Sequence, residues 1–306
     1  MNVAIVGGSG LLGRHLSAAL LERGDPVRIL SRDPARVRHR LDPGLEVERW
    51  STNDPAGLAT ILGEVDAVIN LAGVPVGPRP WTAGRRRSIL RSRREATGTI
   101  VAAIGSLPPE RRPVVLVNAS GTDSYTGLDA SPATEASPSS DGFLARVCLA
   151  WEAEAGRARE LGLRVAILRI GFVLARDATV LRLYALPFRL GLGGPLGNGQ
   201  QWMSWIHIDD LVGLFLLVLD DSHVDGIVNA VAPEPARQAD VAAAIGAALG
   251  RRSWLPVPAT LIRLAMGESS ILALGSRRVV PARALELGYV HRWPVLRTAV
   301  AAVLGE

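Results

Sequence analysis

The segment Gly7-Gly8-Ser9-Gly10-Leu11-Leu12-Gly13 constrains this chain more than any other. It follows a short apolar run, Asn2 to Val6, that reads as a buried parallel strand. It opens a stretch up to Arg23 in which Leu12, Leu16, Ala19 and Leu20 recur at helical spacing, with Gly24 as the stop. A glycine triplet between a strand and a helix is the setting in which backbone amides and a helix N-terminus meet a pyrophosphate. Gly7 is expected to make the tight turn, Gly10 to admit the pyrophosphate, and Gly13 to let helix and strand pack closely. Ser9, Leu11 and Leu12 complete the expected cradle.

Further runs continue the rhythm: Val27 to Leu30, Val47 to Trp50, Ala67 to Leu71, Val114 to Asn118 and Val165 to Leu168 read as strands, with helical segments between them. Such alternation predicts an α/β fold with a Rossmann-type, doubly wound parallel sheet. After about Gly171 the pattern changes. The Gly/Pro-rich stretch Gly191 to Gly199 reads as a loop over a cleft, and Trp205 to Ile208 as a short strand. Asp209 or Asp210 is expected to cap a helix through Leu219, and Ile227 to Val231 to be a last strand of the main sheet. From Pro235 onward, helices are separated by Pro256, Pro258, Pro281 and Pro294. The expected organisation is a dinucleotide-binding domain over 1–172, to which 208–231 returns. A smaller C-terminal α/β substrate domain is expected from 173–207 and 232–306. At 306 residues and 48% hydrophobic, the chain is long enough to bury both cores.

Several classes are disfavoured. No apolar run approaches the ~20 residues of a membrane span, and no basic segment leads into an apolar one at the start. The expectation is a cytoplasmic protein with a small-molecule substrate and no membrane partner. One cysteine, Cys148, and five scattered histidines give neither a disulfide framework nor metal-ligand spacing, so no metal is expected. The net charge is +5, but all 34 basic residues are arginine, a usage bias rather than a patch. Arg85-Arg86-Arg87 with Arg91, Arg93 and Arg94 reads as a solvated helix face, and no nucleic-acid partner is expected.

The second strand ends in Ser31-Arg32-Asp33-Pro34. An acid here would bind ribose hydroxyls and favour NAD, whereas an arginine would pair with the 2′-phosphate of NADP. Asp33 before Pro34 has the order of a helix cap and first turn, which leaves Arg32 for phosphate, so NADP(H) is favoured over NAD(H). Leu71-Ala72-Gly73, after the fourth strand, is expected to pass close to the adenosine and ribose.

These residues, with Leu168-Arg169-Ile170-Gly171 and Trp205 to Asp210, resemble the extended short-chain dehydrogenase/reductase superfamily. The likeness is closer to its "epimerase family" branch, often labelled nucleoside-diphosphate-sugar epimerases. It is carried by Trp81, Ile89, Ser92-Arg93, Trp151-Glu152, Pro187 to Pro195 and Met266 to Ser270. The resemblance spans essentially the whole chain and implies a small domain closing over a substrate cleft. It also makes a homodimer through paired helices an expectation.

The superfamily's usual chemistry needs a tyrosine four residues before a lysine, whose ammonium lowers the phenol's pKa. This chain has no lysine; Phe143 and Val147 stand in the two slots, and none of Tyr125, Tyr184 and Tyr289 has a basic residue four positions on. Ser120 matches the substrate-orienting serine, and Tyr125 is expected to border the nicotinamide as proton donor, assisted by Ser120 or Thr122. His207 is a second catalytic candidate, set against a strand histidine satisfied by a backbone carbonyl or by Asp209. Thr122, Gln201, Met203 and Trp205 are expected in the substrate wall, and Arg169 is expected to fix the sheet end. The resulting expectation is an NADP-dependent oxidoreductase reducing a small carbonyl or imine-like substrate. A non-catalytic NADP(H)-binding module is the alternative, and a nucleotide-sugar epimerase or dehydratase ranks third because nothing replaces the tyrosinate base.

Overall fold

Strands that are apolar at every position must be covered on both faces, which requires helices on either side of a parallel sheet. In the computed structural model, which describes residues 1–77, 79–127 and 131–305, that is the arrangement. In chain order the strands are β1 (Val3–Val6), β2 (Val27–Ser31), β3 (Glu46–Arg49), β4 (Ala67–Asn70), β5 (Val115–Gly121), β6 (Arg164–Ile170), β7 (Phe172–Leu174), β8 (Trp202–Met203), β9 (Trp205–His207), β10 (Gly226–Ala230) and β11 (Ala236–Arg237). The first helices are α1 (Leu11–Glu22), α2 (Pro34–Arg38), α3 (Pro55–Leu62), α4 (Ala83–Gly105), α5 (Phe143–Gly156) and α6 (Thr179–Arg189). They are followed by α7 (Ile208–Asp220), α8 (Gln238–Ala248), α9 (Ala259–Met266), α10 (Ile271–Leu274), α11 (Ala282–Glu286) and α12 (Leu296–Leu304).

Seven strands form the main sheet in the order β10-β6-β5-β4-β1-β2-β3, all paired in parallel. The expected fold class is the observed one. The strand order reverses between β1 and β4, and the crevice at such a reversal is where α/β sheets bind ligands. Alternation along β1 divides the interior: Val3 and Ile5 face a core with Leu16 and Leu20 of α1 and Phe215 of α7. Ala4 and Val6 face a second core with Leu58 of α3 and Ile100 and Ile104 of α4. β10 lies on the sheet edge beside β6, reached through α7.

Two small pairings frame the cleft: β7 lies parallel to β9, and β8 antiparallel to β11. One local expectation needs correcting. The residue that caps α7 is His207, whose Nδ1 accepts from the Asp209 amide at 3.1 Å. Asp210 is buried and instead accepts from the Arg292 and Trp293 amides at 2.7 and 2.9 Å, pinning the C-terminal segment to α7. Among the described residues, no helix is long and apolar enough to cross a membrane.

Candidate functional site

The cradle is built by steric necessity. Gly7 sits at φ +82°, and a Cβ there would lie 3.0 Å from the Leu71 carbonyl carbon, so the turns after β1 and β4 abut. A Cβ on Gly13 would lie 2.5 Å from the Gly8 carbonyl carbon, so only glycine allows α1 to approach the strand end this closely. Gly10 is the N-cap of α1 and supplies no side chain to its amides, and no acid stands in the first turn. The positive end of a helix of twelve residues is thus left for an external anion.

At the end of β2, the Ser31 hydroxyl accepts from the Asp33 amide at 3.2 Å. Asp33 in turn accepts from the Arg36 amide at 3.2 Å and caps α2, as its place before Pro34 predicts. Arg32 is exposed and has no hydrogen bond or ion pair among the described residues. Beyond β4, Asn70 Oδ1 accepts from the Ala72 amide at 3.1 Å. Its Nδ2 donates to Asn118 at 2.7 Å and to Thr97 at 2.8 Å, so a buried polar network shapes Leu71-Ala72-Gly73.

Arg93 departs from the solvated face expected of it. Its guanidinium lies against Gly73, over the Trp151 ring at 4.8 Å, and donates to the Val74 and Ile89 carbonyls at 3.1 Å. Burial pulls its pKa down. It is a strut under the β4 turn.

Beneath the ends of β5 and β6, Arg169 and Glu152 form a buried two-pronged pair, Nε to Oε1 at 2.8 Å and Nη2 to Oε2 at 2.6 Å. Ser120 donates its hydroxyl proton to Glu152 Oε1 at 2.6 Å. Arg169 Nη1 donates to the Tyr125 hydroxyl at 2.5 Å, and that hydroxyl donates to Asn229 at 3.3 Å. Burial opposes the Arg169 charge, but the Glu152 carboxylate outweighs it and raises the pKa. Tyr125 is 0% exposed, and burial pushes its phenol up despite Arg169. The expectation that Tyr125 borders a ligand is therefore corrected: it is a core side chain, spent on orienting Arg169. Arg169 fixes the sheet end, as its position suggests.

Above this network lies a cavity of about 680 Å³, within the size range of small-molecule sites. Leu11 of the α1 first turn, Thr122, Phe172, Met203 and residues of α6 and α9 line it. Among the described residues, two charged side chains occur in its wall, Asp123 and Arg277, and they pair at 2.6 Å. Tyr184 of α6 also lines it, with its ring 5.4 Å from that of Phe172 and no hydrogen-bond partner for its hydroxyl among the described residues. Burial pushes its phenol up to about 12, with Arg277 pulling the other way.

Of the residues expected in the substrate wall, Thr122 and Met203 line the cavity. Gln201 is buried and donates to the Leu196 and Ala273 carbonyls, both at 3.0 Å, tying the Gly-rich loop to α10. Trp205 is 1% exposed, its indole bound to the Glu234 carbonyl at 3.0 Å. Neither is among the residues that line the cavity. His207 is buried, packs on Trp293 with ring centroids 4.8 Å apart, and caps α7 through its Nδ1. Phe143 and Val147 belong to an apolar cluster with Trp81 and Ile89, which is what stands where the tyrosine and lysine would be. Glu268 pairs with Arg86 at 2.6 Å on the surface.

Sequence reasoning missed Glu152, Asp123, Arg277 and Tyr184 as site residues. A detectable signal existed for Glu152: it lies four residues after Cys148 and eight after Leu144, on the buried face of α5, and a carboxylate there demands a partner.

Comparison with known proteins gives two family models: the NAD dependent epimerase/dehydratase family over residues 3–230 and a domain of unknown function, DUF1731, over 257–303. The chain is 35% identical to the human epimerase family protein SDR39U1, covering 99% of this chain and 100% of that one. It is 34% identical to the chloroplastic SDR39U1 homolog of Arabidopsis thaliana, covering 99% of this chain and 87% of that protein. The crystal structure of the human protein (isoform 2) with NADPH superposes with a TM-score of 0.87 over 99% of both chains. UDP-glucose 4-epimerase of Thermotoga maritima shares the fold, with a TM-score of 0.79 at 16% identity over 99% of this chain and 97% of that one.

Proposed function

The chain belongs to the NAD dependent epimerase/dehydratase family, and from that premise we propose that it is an NADPH-dependent oxidoreductase reducing a neutral carbonyl or imine-like compound. One observation carries the reading: Leu11, in the helical turn that closes the nucleotide cradle, is itself part of the cavity wall, so nucleotide and substrate share one continuous space. The human relative solved with NADPH and the unpaired Arg32 both support NADP(H) over NAD(H).

When bound, NADPH supplies a hydride. The glycine turn and the N-terminus of α1 hold the pyrophosphate, Arg32 pairs with the 2′-phosphate, and the Leu71-Ala72-Gly73 turn packs on the adenosine side. Reduction then needs one proton on the substrate oxygen or nitrogen. Tyr184 keeps its proton through neutral pH and delivers it from its hydroxyl to the atom gaining negative charge, while Arg277 favours the phenolate left behind. Ser120 is not assigned this part, because its hydroxyl donates its hydrogen bond to Glu152.

The wall also argues against a nucleoside-diphosphate sugar. Its one arginine among the described residues is neutralised by Asp123, so a diphosphate in the cavity finds no free cation. An epimerase must in addition begin by removing a proton, and a phenol held near 12 is a poor base. The second reading, a non-catalytic NADP(H)-binding module, draws on the apolar cluster where the usual dyad would stand.

The test is turnover of NADPH against neutral aliphatic and aromatic aldehydes, ketones and cyclic imines, with Tyr184→Phe beside the wild type. Loss of about 10²-fold or more in kcat in the variant is expected. NADPH affinity, read by fluorescence, should be unchanged. Tight NADPH binding without turnover of any compound would favour the second reading.

A further inference from the structure

α9 is apolar at six of its eight positions, yet only Ile262 is buried. Leu261 and Leu264 are exposed, Leu264 by 85%. Beside α9 the same character continues: Leu186 and Leu190 on and just after α6, and Trp254 before α9, are each at least half exposed. The two segments are zipped into one surface. The Trp254 amide and Nε1 donate to the Gly193 and Gly191 carbonyls at 3.0 and 3.1 Å, and the Val257 amide donates to Pro195 at 2.8 Å. A large exposed apolar patch on a folded chain marks an interface.

Charge selects the occupant. Residues 178–199 and 249–266 contain five arginines, 182, 189, 251, 252 and 263, and no Asp or Glu. Arg189, Arg251, Arg252 and Arg263 have no ion pair among the described residues. A second copy related by a two-fold axis would set arginine against arginine, which disfavours a symmetric dimer here. A tryptophan and leucines among unpaired arginines match a bilayer interface with anionic headgroups. The patch is also continuous with the cavity, because Leu183 and Pro187 of α6 and Ile262 and Met266 of α9 line the wall.

We infer that the face formed by α6, α9 and the loops between them docks on an anionic lipid surface, with the cavity mouth toward the bilayer. An apolar compound dissolved in the membrane then reaches the cavity without crossing water. The expectation of no membrane partner rests on the absence of long apolar runs, and that criterion cannot detect a surface assembled from two distant segments interrupted by arginines. Docking does not depend on the redox reading; only the route of the substrate does.

The experiment is flotation of the full chain with vesicles of phosphatidylcholine alone and of an equimolar mixture with phosphatidylglycerol. The expected result is flotation with the anionic vesicles only, weakened by added salt. Leu261→Ser with Leu264→Ser, and separately Arg251→Glu with Arg252→Glu, should each lower the bound fraction roughly tenfold. Val290→Ser, at an exposed position outside the patch, should leave it unchanged. Absence of flotation with anionic vesicles overturns the inference, as does equal flotation of the Leu261/Leu264 variant and the Val290 variant. Sedimentation showing self-association that the Leu261/Leu264 variant abolishes assigns the face to a second copy instead.

Discussion

Replacing Glu152 by alanine strands Arg169 beneath the sheet. The guanidinium is 4% exposed and keeps only the Tyr125 hydroxyl as partner, having lost both carboxylate oxygens at 2.6 and 2.8 Å. It cannot shed its proton, because arginine stays charged at any accessible pH. Removing one partner of such a pair costs about 3–5 kcal/mol, since an uncompensated buried charge remains. In a chain of this size that is about 5–8 °C in Tm. Thermal unfolding followed by circular dichroism reads it directly. The joint variant Glu152→Met with Arg169→Met removes both charges and fills the volume, and should recover most of the loss. A drop of less than about 1 kcal/mol in Glu152→Ala, or a joint variant as unstable as the single one, would refute the reasoning that the pair fixes the ends of β5 and β6.

Gly13→Ala should abolish detectable NADPH binding while leaving most helical signal intact, because its Cβ would drive α1 away from the Gly8 carbonyl; fluorescence titration checks this. Acid should destabilise the protein through His207 and His291. Burial lowers both pKa values below the unfolded ~6.5, so their contribution is complete above that pH and is lost as the pH falls through the depressed values. Tm should therefore fall between about pH 7 and 5, less steeply in His291→Gln. An unchanged slope in that variant would remove His291 from the account.

Elements whose residues share one local rule were legible in the sequence. The strand, glycine turn and helix at residues 2–23, and the Asp33-Pro34 cap, depend on neighbours in sequence, so spacing alone predicts them. The return of β10 to the main sheet was legible from its apolar run after a helix. The catalytic side of the site was not. Tyr125 has the composition of a loop tyrosine, and only the fold reveals that Arg169 and Asn229, both distant in sequence, take its hydroxyl into the core. Tyr184 is not legible as a site residue from sequence, because its cation, Arg277, lies on a segment far down the chain rather than one helical turn away. Asp210 looked like a helix cap, yet it captures amides from 292 and 293 that no local pattern announces.

The central claim, an NADP(H) site opening into the cavity, is tested most directly by titrating the purified protein with NADPH and with NADH, alongside Arg32→Ala. NADPH is expected to bind more tightly than NADH. In the variant, NADPH binding should weaken on the order of tenfold while NADH binding is unaffected, since only the 2′-phosphate distinguishes them. Equal affinity for the two nucleotides, or an Arg32→Ala variant that binds NADPH as well as the wild type does, would contradict it.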